Sequence, residues 1–309
     1  MEDPFDRELQ ESEVAGRAFR AGVLGNGLLA LGKLGVGWLS GSRALLADGW
    51  HSLADVATNG ATWIAHGFAR RAPDDDHHYG HGKLEAFAGL IVGLLLFGGG
   101  VAIAVSAFDF DVRLVEGWRT WVALAVALVS IAVNLVLARI AQVGARETKS
   151  DGLRALARDN LSDALSSGLV VVAILGTAVG LPWPEPVATF VIGVVVLSMG
   201  WNSVREGFDV LMDRADPELR AAITRTAGQV EAVRGVQSVR VHPLGGSVAV
   251  DMEISVSGAL TVEEGHEIAH SVERAVTREH PSVRAVHVHV NPGPPPYGTE
   301  DESLLGPSG

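Results

Sequence analysis

The sequence predicts an α-helical membrane protein with six transmembrane helices, followed by a C-terminal α+β domain on the cytoplasmic side. Three observations predict this. Hydrophobic residues make up 48% of the chain and charged ones 19%, against about 25% charged in ordinary soluble domains. Long apolar runs are confined to residues 18–209, whereas 214–309 reads like an ordinary soluble domain. Basic residues also gather in alternate loops of the apolar half, which gives the helices a direction.

The first segment, 1–17, is polar and acidic and has neither a basic n-region nor a cleavage site. No removable signal peptide is expected there. A bilayer-crossing helix needs about 20 mostly apolar residues. Six stretches meet this to differing degrees: 18–40, 43–66, 84–107, 118–141, 156–180 and 186–208. The third, fourth and sixth are cleanly apolar. The second carries His51 and Asp55 inside the run, and the fifth Asp159 and Asp163. Gly98, Gly99 and Gly100 would weaken a soluble helix but are at home in a membrane span. Arg70, Arg71 and Lys83 follow the second stretch, and Arg139, Arg146, Lys149 and Arg154 flank the link after the fourth. The opposite side offers only Arg43, Arg113 and Arg119. Both termini are therefore expected in the cytoplasm, which agrees with an even number of spans.

The soluble domain is expected over 210–292. Asp216 before Pro217 reads as an N-cap, opening a helix to about Val230. Val236–His242 and Ser247–Val256 alternate as strands around a Gly245-Gly246 turn. Thr261-Val262-Glu263-Glu264 has the form of a capping box, opening a second helix to about His280. Arg284–Val290 gives a third strand. The remaining residues, 293–309, are rich in proline, glycine and acids and are expected to form a disordered tail.

There is no cysteine, so disulfides and thiolate metal sites are excluded. The net charge of −12 argues against a nucleic-acid partner, which favours a basic face. It is compatible with handling cations.

The chemistry lies in the polar residues of the apolar runs. Placing a charge in hydrocarbon costs about 2.5–3.5 kcal/mol or more, so such residues mark function. His51 and Asp55 are spaced i, i+4 on one helix, as are Asp159 and Asp163 on another, so each pair shares a face. Facing each other, they offer one imidazole and three carboxylates, enough for a four-coordinate divalent ion. Three close carboxylates cannot all stay ionised without a dication or protons. Metal and protons then compete for the same ligands, which suggests antiport. Hydrogen bonding at a helix contact would account for one intramembrane acid, but two such pairs exceed it. Asp48, three residues before His51, fits a supporting partner, an alternative ligand or a residue near the helix N-terminus.

The runs LLADGWHSLADVATN, DDDHHYGHGKLEA and ARDNLSDALSS together resemble the cation diffusion facilitator family, over about residues 18–292. The resemblance implies a homodimeric, six-span exporter of divalent transition-metal ions in exchange for protons, with a cytoplasmic metallochaperone-like domain. Its transport site falls on His51, Asp55, Asp159 and Asp163. Zinc members often carry a histidine on the fifth helix, where this chain has Asp159 and places its histidine on the second. Zinc is the first expectation, with manganese, iron and cobalt as alternatives. The metal enters as substrate, with no prosthetic group, and no enzymatic activity is expected.

The same resemblance implies further sites. Asp74, His77 and His81 match a second, loop metal site, although a solvated acidic loop would share this composition. Lys83 and Asp213 match an ion pair that locks helices at the dimer interface. Asp251, His266 and His289 match metal ligands of the soluble domain, with Glu253 beside Asp251 as a weaker candidate. Gln237 and Asn291 depart from that pattern, which favours a single ion or none. His242, His270, His280 and His287 read as surface histidines. A bacterial inner membrane, with lipids and protons as the other partners, is the expected setting. The competing reading is a membrane-anchored metal sensor or chaperone without transport. An intramembrane metalloprotease ranks far behind, because the sequence contains no HExxH.

Overall fold

A computed structural model describes residues 25–69, 74–109, 117–148 and 151–293. The expected N-terminal segment, the start of the first expected span and the tail after 293 lie outside the described residues. The chain divides into two units. One holds the residues up to Ile64 together with Gly89–Arg205, and the other holds Ala65–Ala88 and the residues from Glu206 onward.

Six helices precede the soluble domain among the described residues, one over each expected span: α1 over 25–40, α2 Arg43–Ala69, α3 Lys83–Ser106, α4 Trp118–Thr148, α5 Asp151–Ala178 and α6 Pro184–Leu211. By length and composition four of them can cross a bilayer: Lys83–Ser106, Trp118–Arg146, Gly152–Ala178 and Pro184–Leu211. The other two fall short on that measure. α1 is described only from residue 25, and Asp48, His51 and Asp55 interrupt the apolar run of α2. α4 runs on to Thr148 and α5 starts at Asp151, beyond the expected bounds, because their solvated ends carry arginines that continue a helix well.

Small residues let these helices approach. Ala44 and Ala47 of α2, Ala123 and Ala127 of α4, Ala173 of α5 and Ala188 of α6 share one buried cluster with Leu45, Val170, Ile174, Ile192 and Val196. Close backbone approach of this kind is how helices associate where lipid removes the hydrophobic drive. α3 and α6 meet through glycines: a Cβ at Gly100 would lie 2.5 Å from the Leu197 amide nitrogen, whereas Gly98 and Gly99 meet nothing. Large side chains such as Leu95, Val105, Leu165 and Val172 are exposed instead, as a lipid-facing surface requires. The α1–α2 link is tight, with Gly41 at φ 79°. Glu185 Oε1 accepts from Ser42 Oγ at 2.9 Å and from the Ala44 amide at 3.1 Å. This places a carboxylate at the N-terminus of α2 and fixes the helix that carries His51 and Asp55.

The second unit contains α7 Pro217–Gly228, β1 Gly235–Pro243, β2 Val248–Val256, α8 Val262–Glu279 and β3 Val283–Pro292, in the expected order. Asp216 caps α7 by accepting from the Glu218 amide, and Thr261 and Glu264 form the expected capping box of α8. The sheet runs β1-β2-β3, antiparallel between the first two and parallel between the last two. Val239 and Val241 alternate with exposed Arg240. Together with Val250, Met252 and Ile254 they meet Ile223 of α7 and Val272 and Val276 of α8 in one core.

Candidate metal centre

α2 and α5 bring His51, Asp55 and Asp163 together. His51 Nε2 lies 3.1 Å from Asp163 Oδ1, and one ligand atom from each of the three residues falls within 4.8 Å of the others. His51 and Asp163 are buried, with 3% and 2% of their surfaces exposed. His51 Nδ1 and Asp55 Oδ2 are buried without a hydrogen-bond partner, while His51 Nε2 faces the Asp163 carboxylate. Buried polar atoms of this kind cost free energy unless something satisfies them. A divalent cation would satisfy all three residues at once, drawing on nitrogen and oxygen donors.

Asp159 stands apart from this group. It lies one turn before Asp163 on α5 and is exposed. Four residues overshoot a full helical turn by about 40°, so the shared face of an i, i+4 pair is broad enough to bury one acid and expose the other. The structure gathers three of the four expected residues, with Asp159 at the margin.

Asp48 occupies neither a ligand position nor an exposed helix end. Its Oδ2 lies 2.9 Å from Lys33 Nζ, and both side chains are completely buried. Ser167 Oγ donates to the same oxygen at 2.8 Å, and Lys33 also donates to Ser52 Oγ at 2.9 Å. Ser167 in turn lies 3.0 Å from Ser130 Oγ of α4. Four helices thus share one polar network, a turn along α2 from His51. Lys33 was missed in the sequence, and its only signal there is a lone lysine inside an otherwise apolar run.

The loop before α3 is built around Asp74. Its Oδ1 accepts from the amides of His77, at 2.7 Å, and Asp76, at 3.1 Å. His77 Nδ1 lies 3.1 Å from that oxygen, and His81 Nε2 lies 3.4 Å from Oδ2. The His77 amide, with further help from its ring, holds the Asp74 carboxyl below the usual carboxylate range. One ligand atom each from Asp74, His77 and His81 lies within 4.8 Å of the others. This turn-forming role of Asp74 Oδ1 is compatible with ligation by the same carboxylate. Lys83 Nζ lies 2.7 Å from Asp213 Oδ1, so the expected ion pair forms within one chain.

In the soluble domain, Asp251, His266 and His289 all line one cavity of about 450 Å³, together with His270, Glu273 and His287. Asp251 is held by His287 Nδ1 and His242 Nε2, each at 3.2 Å. His266 Nε2 meets His270 Nε2 at 3.1 Å, and His270 Nδ1 meets Glu273 at 3.0 Å. His242, His270 and His287, read as surface histidines, therefore border these groups, and His280 meets Thr226 Oγ1 at 3.0 Å. Gln237 and Asn291, the two departures from the family pattern, bond to each other at 2.9 Å, and Asn291 reaches Glu253 at 3.4 Å.

Comparison with known proteins follows the same division. The cation efflux transmembrane domain matches residues 20–212, and the cation efflux protein cytoplasmic domain matches 215–293. An uncharacterized transporter of Bacillus subtilis, YdbO, is 33% identical, covering 86% of this chain and 91% of the relative. The manganese efflux system protein MneS of the same organism is 30% identical over 84% of this chain and 89% of its own. The magnetosome protein MamB of Magnetospira is 32% identical, with coverage of 84% and 89%.

Proposed function

Because this chain belongs to the cation diffusion facilitator family, we propose that its cation efflux is the export of a divalent transition-metal ion in exchange for protons. The cargo binds at His51, Asp55 and Asp163, and Asp159 completes the set as the fourth ligand. The unpartnered Nδ1 of His51 and Oδ2 of Asp55, buried beside the close His51–Asp163 pair, carry this reading. Helix packing alone gives no reason to bury three polar side chains with their ligand atoms so close.

One imidazole among carboxylates suits zinc, and manganese also accepts this mixture. The manganese efflux relatives put manganese beside zinc as cargo. Export works by alternating access: the site loads from the cytoplasm as its ligands shed protons, then opens outward, where protons displace the ion. The basic loops support six spans with both termini in the cytoplasm, and the setting we propose is a bacterial inner membrane. The match to the cytoplasmic domain of cation efflux proteins supports a homodimer, with Lys83–Asp213 steadying helix ends near its interface. The loop group and the soluble-domain cavity serve as secondary metal sites that tune flux.

The test is transport by single variants. Asp55→Ala and Asp163→Ala are expected to lower metal flux by more than the roughly 10–100-fold that loss of a supporting residue causes, in protein that remains folded. Wild-type flux in either folded variant would remove these residues from the site. Metal binding without flux in the wild type would favour the sensor reading.

A further inference from the structure

The end of α4 and the start of α5 enclose a cleft of about 510 Å³. Arg139 and Arg146 enter it from α4, and Arg154 and Arg158 from α5. Their spacings, seven and four residues, place each pair on one face of its helix. Among the described side chains no acidic residue lines the cleft, although the whole chain carries a net charge of −12. Leu135 and Leu161 supply apolar wall, and both stay about half exposed, at 47% and 48%. The cleft lies at the adjoining ends of two helices long and apolar enough to cross a bilayer. A guanidinium cluster at that depth meets lipid headgroups, while the leucines meet the acyl chains below them.

We infer that this cleft binds the phosphate headgroup of an anionic phospholipid. Guanidinium groups pair with phosphate oxygens in a bidentate fashion. A free phosphate would use the arginines but gain nothing from Leu135 and Leu161, so the apolar wall favours a lipid. Basic loops that merely obey orientation rules need only lie on one side of the membrane. These four residues converge instead on a single concave surface between two helices. The leaflet concerned is the cytoplasmic one in the topology proposed above, and the binding itself does not depend on the transport reading.

The experiment uses the full chain purified in detergent, with thermal unfolding and native mass spectrometry as readouts. Phosphatidylglycerol should raise the unfolding temperature and remain bound, whereas phosphatidylcholine and inorganic phosphate should do neither. Arg139→Gln with Arg158→Gln, and Arg146→Gln with Arg154→Gln, should each weaken phosphatidylglycerol binding by about fivefold per arginine removed. Added salt should weaken it further. Arg220→Gln with Arg278→Gln removes the same charge from α7 and α8 and should leave the affinity unchanged. Equal stabilisation by inorganic phosphate would overturn the lipid assignment, as would unchanged affinity in both cleft variants. If those variants fail to fold, a photoreactive phosphatidylglycerol on the wild-type protein decides. Crosslinks in 135–146 and 154–161 support the cleft, and crosslinks confined elsewhere overturn it.

Discussion

Lys33 and Asp48 show how much a single side chain can carry in this fold. Both are fully buried, 2.9 Å apart, so removing one leaves the other charged and without its counter-ion. Lys33→Met is expected to destabilise the protein by about 3–5 kcal/mol, and Lys33→Met with Asp48→Asn to recover most of that loss. Unfolding of the purified variants checks this, and a Lys33→Met protein as stable as wild type would contradict it. His51, Asp55 and Asp163 were legible in the sequence because polar residues at helical spacing stand out in an apolar run. Lys33 was not, because a lone lysine in such a run also fits a side chain that reaches to the membrane surface. Asp159 was read as equivalent to Asp163, since spacing gives a shared face but not the depth of each residue on it.

Among the elements, the helices and strands of the soluble domain were the most legible, because each carries its own end signals. Asp216 before Pro217 and the Thr261–Glu264 box form the caps the sequence predicts. What was hidden is strand register. Parallel pairing puts Asp251 opposite His287, and no periodicity within one strand reveals which residue lies across from it. The α8 cap also carries a pH dependence. The Thr261 amide and hydroxyl hold the Glu264 carboxyl below its usual value of 4.5. Its folded pKa is therefore depressed, so its stabilisation is complete above the ordinary glutamate range and is lost as pH falls through the lowered value. Glu264→Gln should accordingly unfold at a lower temperature than wild type at neutral pH, and the gap should close in acid. A gap of constant size across that range would contradict the role given to the carboxylate. Thr261→Ala should cost about 1 kcal/mol as the loss of an N-cap.

For the whole molecule, the change from apolar runs to ordinary composition falls after about residue 210, whereas the structure also assigns Ala65–Ala88 to the second unit. The family matches divide at nearly the same place, at 212 and 215. Of the six expected spans, four are long and apolar enough to cross a bilayer among the described residues. α1 and α2 do not pass by length and composition, and both bury polar side chains, Lys33 on α1 and Asp48 and His51 on α2. Metal identity was not legible at either level, because nitrogen and carboxylate donors serve several ions. The measurement that bears most directly on the central claim is metal uptake into proteoliposomes under an imposed pH gradient, comparing manganese, zinc, iron(II), cobalt and cadmium. The expected result is gradient-dependent uptake of one or two of these ions that is lost in Asp163→Ala. Folded wild-type protein that moves none of them, or moves them regardless of the gradient, would contradict proton-coupled export.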